Sequence, residues 1–155
     1  MYDIRWAKKE EWSETTMMIW NTFLKFEGQT YNEEGVKHFF EFVFDPKIRQ
    51  AFEAGRYQMM VAYDNNKKKI VGAGSIRNRN HLSLLFVDEN YHLQGIGRNI
   101  LDKLCTYLKN EEGEASITVN AAPYAHAFYK IYGFEETGSE EIVGGIEYIP
   151  MEKKL

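Results

Sequence analysis

Residues 85–98 read Leu85-Phe86-Val87-Asp88-Glu89-Asn90-Tyr91-His92-Leu93-Gln94-Gly95-Ile96-Gly97-Arg98. The apolar start is typical of a buried strand, and the glycines that follow the loop open a helix. Glycine lets a ligand approach the backbone closely, because no Cβ stands in the way. The first N–H groups of a helix lack partners within it and lie at the positive end of its dipole. The stretch therefore predicts a phosphate or diphosphate site.

Two familiar phosphate-binding motifs do not fit this stretch. No Gly-Lys-Ser/Thr sequence follows, as a Walker loop requires, and Ile100 stands where the dinucleotide fingerprint has its third glycine. Glycine at a helix start also serves close packing, so the diphosphate interpretation needs a second feature.

That second feature lies downstream. A predicted strand ends at Asn120, a short helix carries Tyr129, and Gly133 is placed to end that helix. The segment reads Phe128-Tyr129-Lys130-Ile131-Tyr132-Gly133-Phe134. With His92-Leu93-Gln94-Gly95-Ile96-Gly97, it resembles the paired motifs of the Gcn5-related N-acetyltransferase (GNAT) superfamily, Gln/Arg-x-x-Gly-x-Gly/Ala followed by Phe-Tyr-x-x-x-Gly-Phe. The resemblance is specific over residues 81–134, and His92 departs from it by replacing Gln or Arg.

The resemblance implies acetyl-CoA as co-substrate, bound in a cleft where the fourth and fifth strands splay apart. Backbone groups of Leu85, Phe86 and Val87 would pair with the pantetheine arm, much as an added strand does. The N–H groups of Leu93, Gln94, Gly95, Ile96, Gly97 and Arg98 would hold the pyrophosphate. Asn120 would provide a further cofactor contact.

Tyr129 corresponds to the family's general acid. When an amine attacks the thioester, the departing CoA thiolate needs a proton, and a nearby phenol can supply it where water is scarce. Tyr124 and Tyr132 are the rival positions if the motif is out of register. The resemblance thus implies transfer of an acetyl group to a primary amine by direct attack. The alternative is a non-catalytic acyl-CoA-binding or sensing domain on the same fold.

Hydrophobic periodicity predicts an α/β (α+β) domain with a mixed, mostly antiparallel sheet, flanking helices and the order β-α-α-β-β-β-α-β-α-β-β. Asn32 is a candidate N-cap for the second helix, which Asp45-Pro46 stops, and Gly144-Gly145 suits a hairpin turn. The predicted strands are Tyr2–Ala7, Tyr57–Tyr63, Lys69–Arg77, His81–Val87, Ala115–Asn120, Phe134–Glu141 and Ile146–Met151. The other predicted helices are Glu10–Phe26, Gly95–Asn110 and Tyr124–Tyr132.

Composition bounds the remaining possibilities. The chain has 155 residues, which suits one domain spanning 1–155. Its net charge of −4 argues against a protein that grips nucleic acid. No apolar run approaches the ~20 residues of a membrane helix, and the start lacks a secretory pattern, so we expect a cytoplasmic protein without membrane contact. The single Cys105 and four unclustered histidines predict no metal site.

The sequence leaves three questions open. The acceptor is an amine on a small molecule or a peptide. The base that deprotonates it is not assigned, although Glu27, His81 and Ser83 are candidates. The protein is a monomer or a homodimer, in which the closing strand Ile146–Met151 would pair.

Overall fold

The computed structural model describes all 155 residues. Its helices are α1 (Trp12–Phe26), α2 (Glu33–Val43), α3 (Pro46–Glu53), α4 (Ile96–Asn110) and α5 (His126–Tyr132). Its strands are β1 (Tyr2–Trp6), β2 (Gln58–Asp64), β3 (Lys69–Arg77), β4 (His81–Val87), β5 (Ser116–Ala121), β6 (Glu135–Glu136), β7 (Glu141–Val143) and β8 (Ile146–Lys154). None of the helices combines the length and apolar character needed to span a membrane.

One sheet runs in the order β1-β2-β3-β4-β5-β8-β6, with β7 paired to β8. Every neighbouring pair is antiparallel except β4 and β5, which are parallel. The predicted fold class, a mixed and mostly antiparallel sheet with flanking helices, is confirmed. Asn32 caps α2 as predicted, since its Oδ1 accepts the Gly35 N–H at 2.8 Å.

Two parts of the predicted element order were wrong. Asp45-Pro46 stops α2 as predicted, but the order omitted α3. This helix begins there because the Asp45 carboxylate accepts the Lys47 N–H at 2.9 Å and proline is favourable in a first helical turn. The predicted strand Phe134–Glu141 is interrupted: only β6 pairs before the chain turns away and returns as β7. The hairpin turn at Gly144-Gly145 is present between β7 and β8.

The sheet separates two apolar cores, because side chains of successive residues in a strand point to opposite faces. On one face α4 packs through Ile96, Ile100, Leu101, Leu104 and Leu108. Gly72 and Gly74 of β3 permit this approach, since a Cβ at Gly74 would lie 2.7 Å from Ile100. On the other face α1, α2 and α3 cover the sheet, with Ile19, Val43 and Phe52 buried.

The sheet opens between β4 and β5. These strands pair only at His81–Thr118 and Leu82–Val119. Beyond that point β4 continues along β3 as far as Val87, while β5 continues along β8 as far as Ala121. The two strands therefore diverge into a wedge-shaped cleft, as the resemblance implied.

Candidate acetyl-CoA cleft and acceptor cavity

The β4 side of the cleft presents backbone groups that no strand uses. Asp88 donates its N–H to the Val71 carbonyl at 2.9 Å, which fixes the side of β4 that faces β3. Because backbone groups alternate in direction along a strand, those of Phe86 face β3, and those of Leu85 and Val87 face the cleft. The Phe86 ring packs on the Phe39 ring, with centroids 5.7 Å apart, and both rings line a cavity next to the cleft.

The first turn of α4 forms the outer end of this cleft. None of the N–H groups from Leu93 to Arg98 meets an acceptor within the protein, and the first backbone bond of the helix is from Asn99 to Gly95 at 2.9 Å. Gly95 is the N-cap in the left-handed region, with φ of 79°, and no side chain caps the helix. No acidic residue lies in the first turn. Six consecutive donors at the positive end of a helix are suited to bind a diphosphate.

Gly97 borders the same space. A Cβ built on Gly97 would lie 3.6 Å from Val87 Cγ2 and 4.0 Å from Phe128 Cζ, which are ordinary contact distances. The fold itself therefore leaves room for a small side chain there. Such a side chain would extend into the gap between the end of β4 and α5.

His92 holds the end of β4 from the loop before α4. Its Nε2 lies 2.7 Å from the Val87 carbonyl oxygen, which can only accept, so Nε2 carries the proton. Its ring packs on the ring of Phe26, at the end of α1, with centroids 4.8 Å apart. His92, which stands where the motif has Gln or Arg, thus links the end of β4 to the end of α1, and its Nε2–H is bonded to the Val87 carbonyl.

Tyr129 reaches this cavity from α5. Its side chain is 6% exposed and packs edge-to-face on Phe128 and Phe134, with ring centroids 5.2 and 5.3 Å away. It lines the cavity, and its hydroxyl makes no hydrogen bond within the protein. Since no fully buried polar atom lacks a partner, this hydroxyl is accessible from the cavity. Burial raises the pKa of the Tyr129 phenol, and the negative charge of Glu27 raises it further. The phenol therefore keeps its proton at neutral pH.

The rival tyrosines have different surroundings. The Tyr132 hydroxyl donates to the Asp102 carboxylate on α4, and Tyr132 does not line the cavity. Tyr124 does line it but is 59% exposed and stacks on Phe26. Of the three, only Tyr129 combines burial with an unbonded hydroxyl at the cavity.

The three candidate bases also differ in their hydrogen bonds and surroundings. Ser83 shares a hydrogen-bond triangle with Tyr57 and Ser75, with oxygens 2.7 to 2.9 Å apart. His81 Nδ1 lies 2.8 Å from the Thr118 hydroxyl, and burial lowers the pKa of its imidazole. Glu27 lines the cavity and has no cationic partner.

Burial raises the pKa of Glu27 to about 7. The Tyr31 hydroxyl, which donates to Glu27 Oε1 at 3.3 Å, opposes that rise only in part. Glu27 is therefore a carboxyl group that takes up and releases a proton near neutral pH, beside the cavity that Tyr129 also lines.

The cavity measures about 430 Å³ and extends along β4 between α1, α2, β5, α5 and the β7–β8 hairpin. Asn120, at the end of β5, lines it as well. The hairpin forms the cover, or roof, of the cavity, which was not predicted from the sequence. Its residues at the cavity are Val143, Ile146, Glu147 and Tyr148. No group of three or more His, Cys, Asp or Glu side chains is arranged to hold a metal ion.

The hairpin is fixed over the cavity by its turn. His38 Nδ1 donates to the Gly144 carbonyl at 2.7 Å. Gly145 packs so closely on α2 that a Cβ there would lie 2.3 Å from Asn32 Oδ1. No local sequence signal connects residues 32–38 with 144–145, so this roof follows only from the tertiary structure.

Comparison with known proteins agrees with this geometry. The family model described as an acetyltransferase (GNAT) domain matches residues 27–155. The chain therefore belongs to the GNAT acetyltransferase family. No curated protein sequence matches it significantly.

Several solved structures share the fold. The GCN5-related N-acetyltransferase from Rhodopseudomonas palustris is 20% identical, with a TM-score of 0.82 over 99% of this chain and 95% of that one. The PaiA N-acetyltransferase from Thermoplasma acidophilum, solved with coenzyme A, is 17% identical. Its TM-score is 0.78, and the match covers 100% of this chain and 99% of that one. A spermidine N-acetyltransferase SpeG chimera from Vibrio cholerae and hSSAT is 14% identical, with a TM-score of 0.68 over 99% and 95%.

Proposed function

We propose that this protein transfers the acetyl group of acetyl-CoA to a primary amine by direct attack of the amine on the thioester. The observation that carries the proposal is the row of unpaired N–H groups from Leu93 to Arg98, next to the wedge between β4 and β5. The PaiA structure, which contains coenzyme A, has the same fold and supports this choice of ligand.

The backbone would hold acetyl-CoA at two places. The donors of residues 93–98 bind the diphosphate, and the free backbone groups of Leu85 and Val87 pair with the pantetheine amides. The Val87 carbonyl already accepts from His92, so the Val87 N–H is the group left for the ligand. Asn120, which lines the cavity from the facing strand, would make a further contact. Acetyl-CoA supplies an activated acyl carbon, and the protein supplies its position.

Two side chains would move the protons. An ammonium that becomes an amide loses two protons from nitrogen. Glu27 takes the first and passes it to solvent, leaving a neutral amine. The amine forms a C–N bond to the acyl carbon, and the C–S bond breaks. Tyr129 protonates the departing sulfur and recovers a proton from the amide nitrogen. The products are an acetamide, CoA thiol and one released proton.

Release of the CoA thiol from acetyl-CoA, in the presence and absence of a panel of primary amines, tests the proposal. We expect thiol release that requires an amine, and acetylated amine in equal amount by mass spectrometry. If the protein binds CoA but no amine accelerates thiol release, the alternative of a non-catalytic acyl-CoA sensor replaces the enzyme. If it does not bind CoA, both fail.

A further inference from the structure

The acceptor end of the cavity is an aromatic enclosure. The Phe23 and Phe39 rings stack with centroids 4.0 Å apart, and Phe86 continues the wall from β4. On the other side Phe26 stacks on Tyr124, with centroids 5.9 Å apart. All five residues line the cavity. Rings packed on one another in this way form a rigid surface, which binds apolar groups better than polar ones.

The carboxylates that line this enclosure are Glu27 and Glu147, and the negative charges of both raise the pKa of Tyr31. Neither forms an ion pair with a protein cation. At the other end of the cavity, Arg77 lies over the Phe42 ring, 5.2 Å from its centroid. The negative charge is thus confined to one end, so one ammonium is matched there and a second at the far end would meet a guanidinium.

The available volume is small. About 430 Å³ is near the lower end of the range for ligand pockets, about 300–1,000 Å³, and the acetyl end of the co-substrate must share it. The β7–β8 hairpin covers it, and the hydrogen bond from His38 to Gly144 fixes this cover to α2. A long, folded or multiply ringed polar acceptor would have to displace that hairpin.

From these three features we infer the class of acceptor: a small primary amine on a single apolar, preferably aromatic, body, with its ammonium at Glu27 and its body against Phe26 and Phe39. This inference rests on the proposed acetyl transfer and narrows its substrate. Polyamines, aminoglycosides and peptide N-termini are excluded by the same features, because each brings further polar or cationic groups to an apolar wall.

The test compares kcat/KM for 2-phenylethylamine with those for spermidine, 2-aminoethanol and a tripeptide, all with acetyl-CoA. We expect 2-phenylethylamine to exceed each of the others at least about 30-fold, as burial of one phenyl-sized group would give. If spermidine or a polar amine is used equally well, the inferred class is wrong while acetyl transfer stands. If no amine reacts, calorimetry of 2-phenylethylamine with the CoA-loaded protein decides, and the absence of binding overturns the inference.

Two variants connect the preference to the residues. At saturating acetyl-CoA, Phe26→Ala should lower kcat/KM for 2-phenylethylamine about tenfold more than that for 2-aminoethanol, because only the first amine uses the ring. Glu27→Gln should lower kcat/KM for both amines at least about tenfold, and Glu41→Gln, an exposed carboxylate on α2, should change neither. An equal effect of Phe26→Ala on both amines, or no effect of Glu27→Gln, contradicts the placement.

Discussion

Replacement of Tyr129 by phenylalanine removes one hydroxyl from the cavity and little else. No protein group bonds that hydroxyl, so its loss leaves no partner unsatisfied, and the ring keeps its contacts with Phe128 and Phe134. We therefore expect the free energy of unfolding to change by less than about 1 kcal/mol. The affinity for CoA should stay within twofold, because the groups proposed to bind it lie on β4 and at residues 93–98, away from the Tyr129 hydroxyl.

The rate should fall strongly. A positioned general acid contributes about 10²–10⁴-fold, which is about 3–5 kcal/mol of activation free energy. Burial raises the pKa of Tyr129, which keeps the phenol protonated but weakens it as a donor to a thiolate whose own pKa is about 8.5. This mismatch places the expected loss at the lower end, about 10²-fold in kcat.

The assay measures CoA thiol release at saturating acetyl-CoA and amine, alongside calorimetry of CoA. Tyr132→Phe is the matched control, since its hydroxyl bonds Asp102 outside the cavity, and its kcat should be nearly unchanged. A kcat of Tyr129→Phe within about threefold of the wild type would show that Tyr129 is not the general acid. A loss of CoA affinity equal to the loss of rate would contradict that role too, because that would make Tyr129 a binding residue.

Three further predictions follow from single residues. Glu27 binds its proton more tightly in the folded protein, with a pKa of about 7, so the free energy of unfolding should fall by up to about 3 kcal/mol as pH rises from about 4.5 to 7. In Glu27→Gln that fall should be absent, and an identical pH dependence of the denaturation midpoint contradicts the burial of the carboxyl. Gly95→Ala places a residue with a Cβ in the left-handed region, at φ of 79°, and should lower the free energy of unfolding by about 1–2 kcal/mol in a urea titration. An unchanged midpoint would show that the turn relaxes. His92→Ala leaves the Val87 carbonyl without its donor and removes the ring that packs on Phe26. KM for acetyl-CoA should therefore rise severalfold with kcat little changed. An unchanged KM would show that the end of β4 does not need His92.

Local signals in the sequence predict the part of the site that depends on backbone geometry. The glycines at 95 and 97 specify the helix opening, because the left-handed N-cap and the open first turn follow from the residue types themselves. Asn32 and the hairpin turn at Gly144-Gly145 are local signals of the same kind. Helix α3 was not predicted although its signal, Asp45 before Pro46, was present. These residues were interpreted only as the end of α2, but they also begin α3.

The proposed acceptor side depends mainly on distant contacts, which the sequence does not specify. Glu147 lies at the cavity because Gly145 packs against Asn32 and places the hairpin over α2. The raised pKa of Glu27 follows from burial in the finished fold, and the sequence offers no measure of that burial. Glu27, His81 and Ser83 were equivalent as candidate bases for the same reason, and the hydrogen bonds of Ser83 and His81 distinguish them only in three dimensions.

A calorimetric titration with CoA of the wild type and of Gly97→Leu tests whether the opening of α4 binds the diphosphate. The unpaired donors from Leu93 to Arg98 should give saturable binding to the wild type. The leucine, placed in the gap beside Val87 and Phe128, should weaken binding at least about 30-fold, the equivalent of about 2 kcal/mol, at an unchanged unfolding temperature. No heat with the wild type, or equal affinity in the folded variant, would contradict the assignment of this helix opening as the diphosphate site.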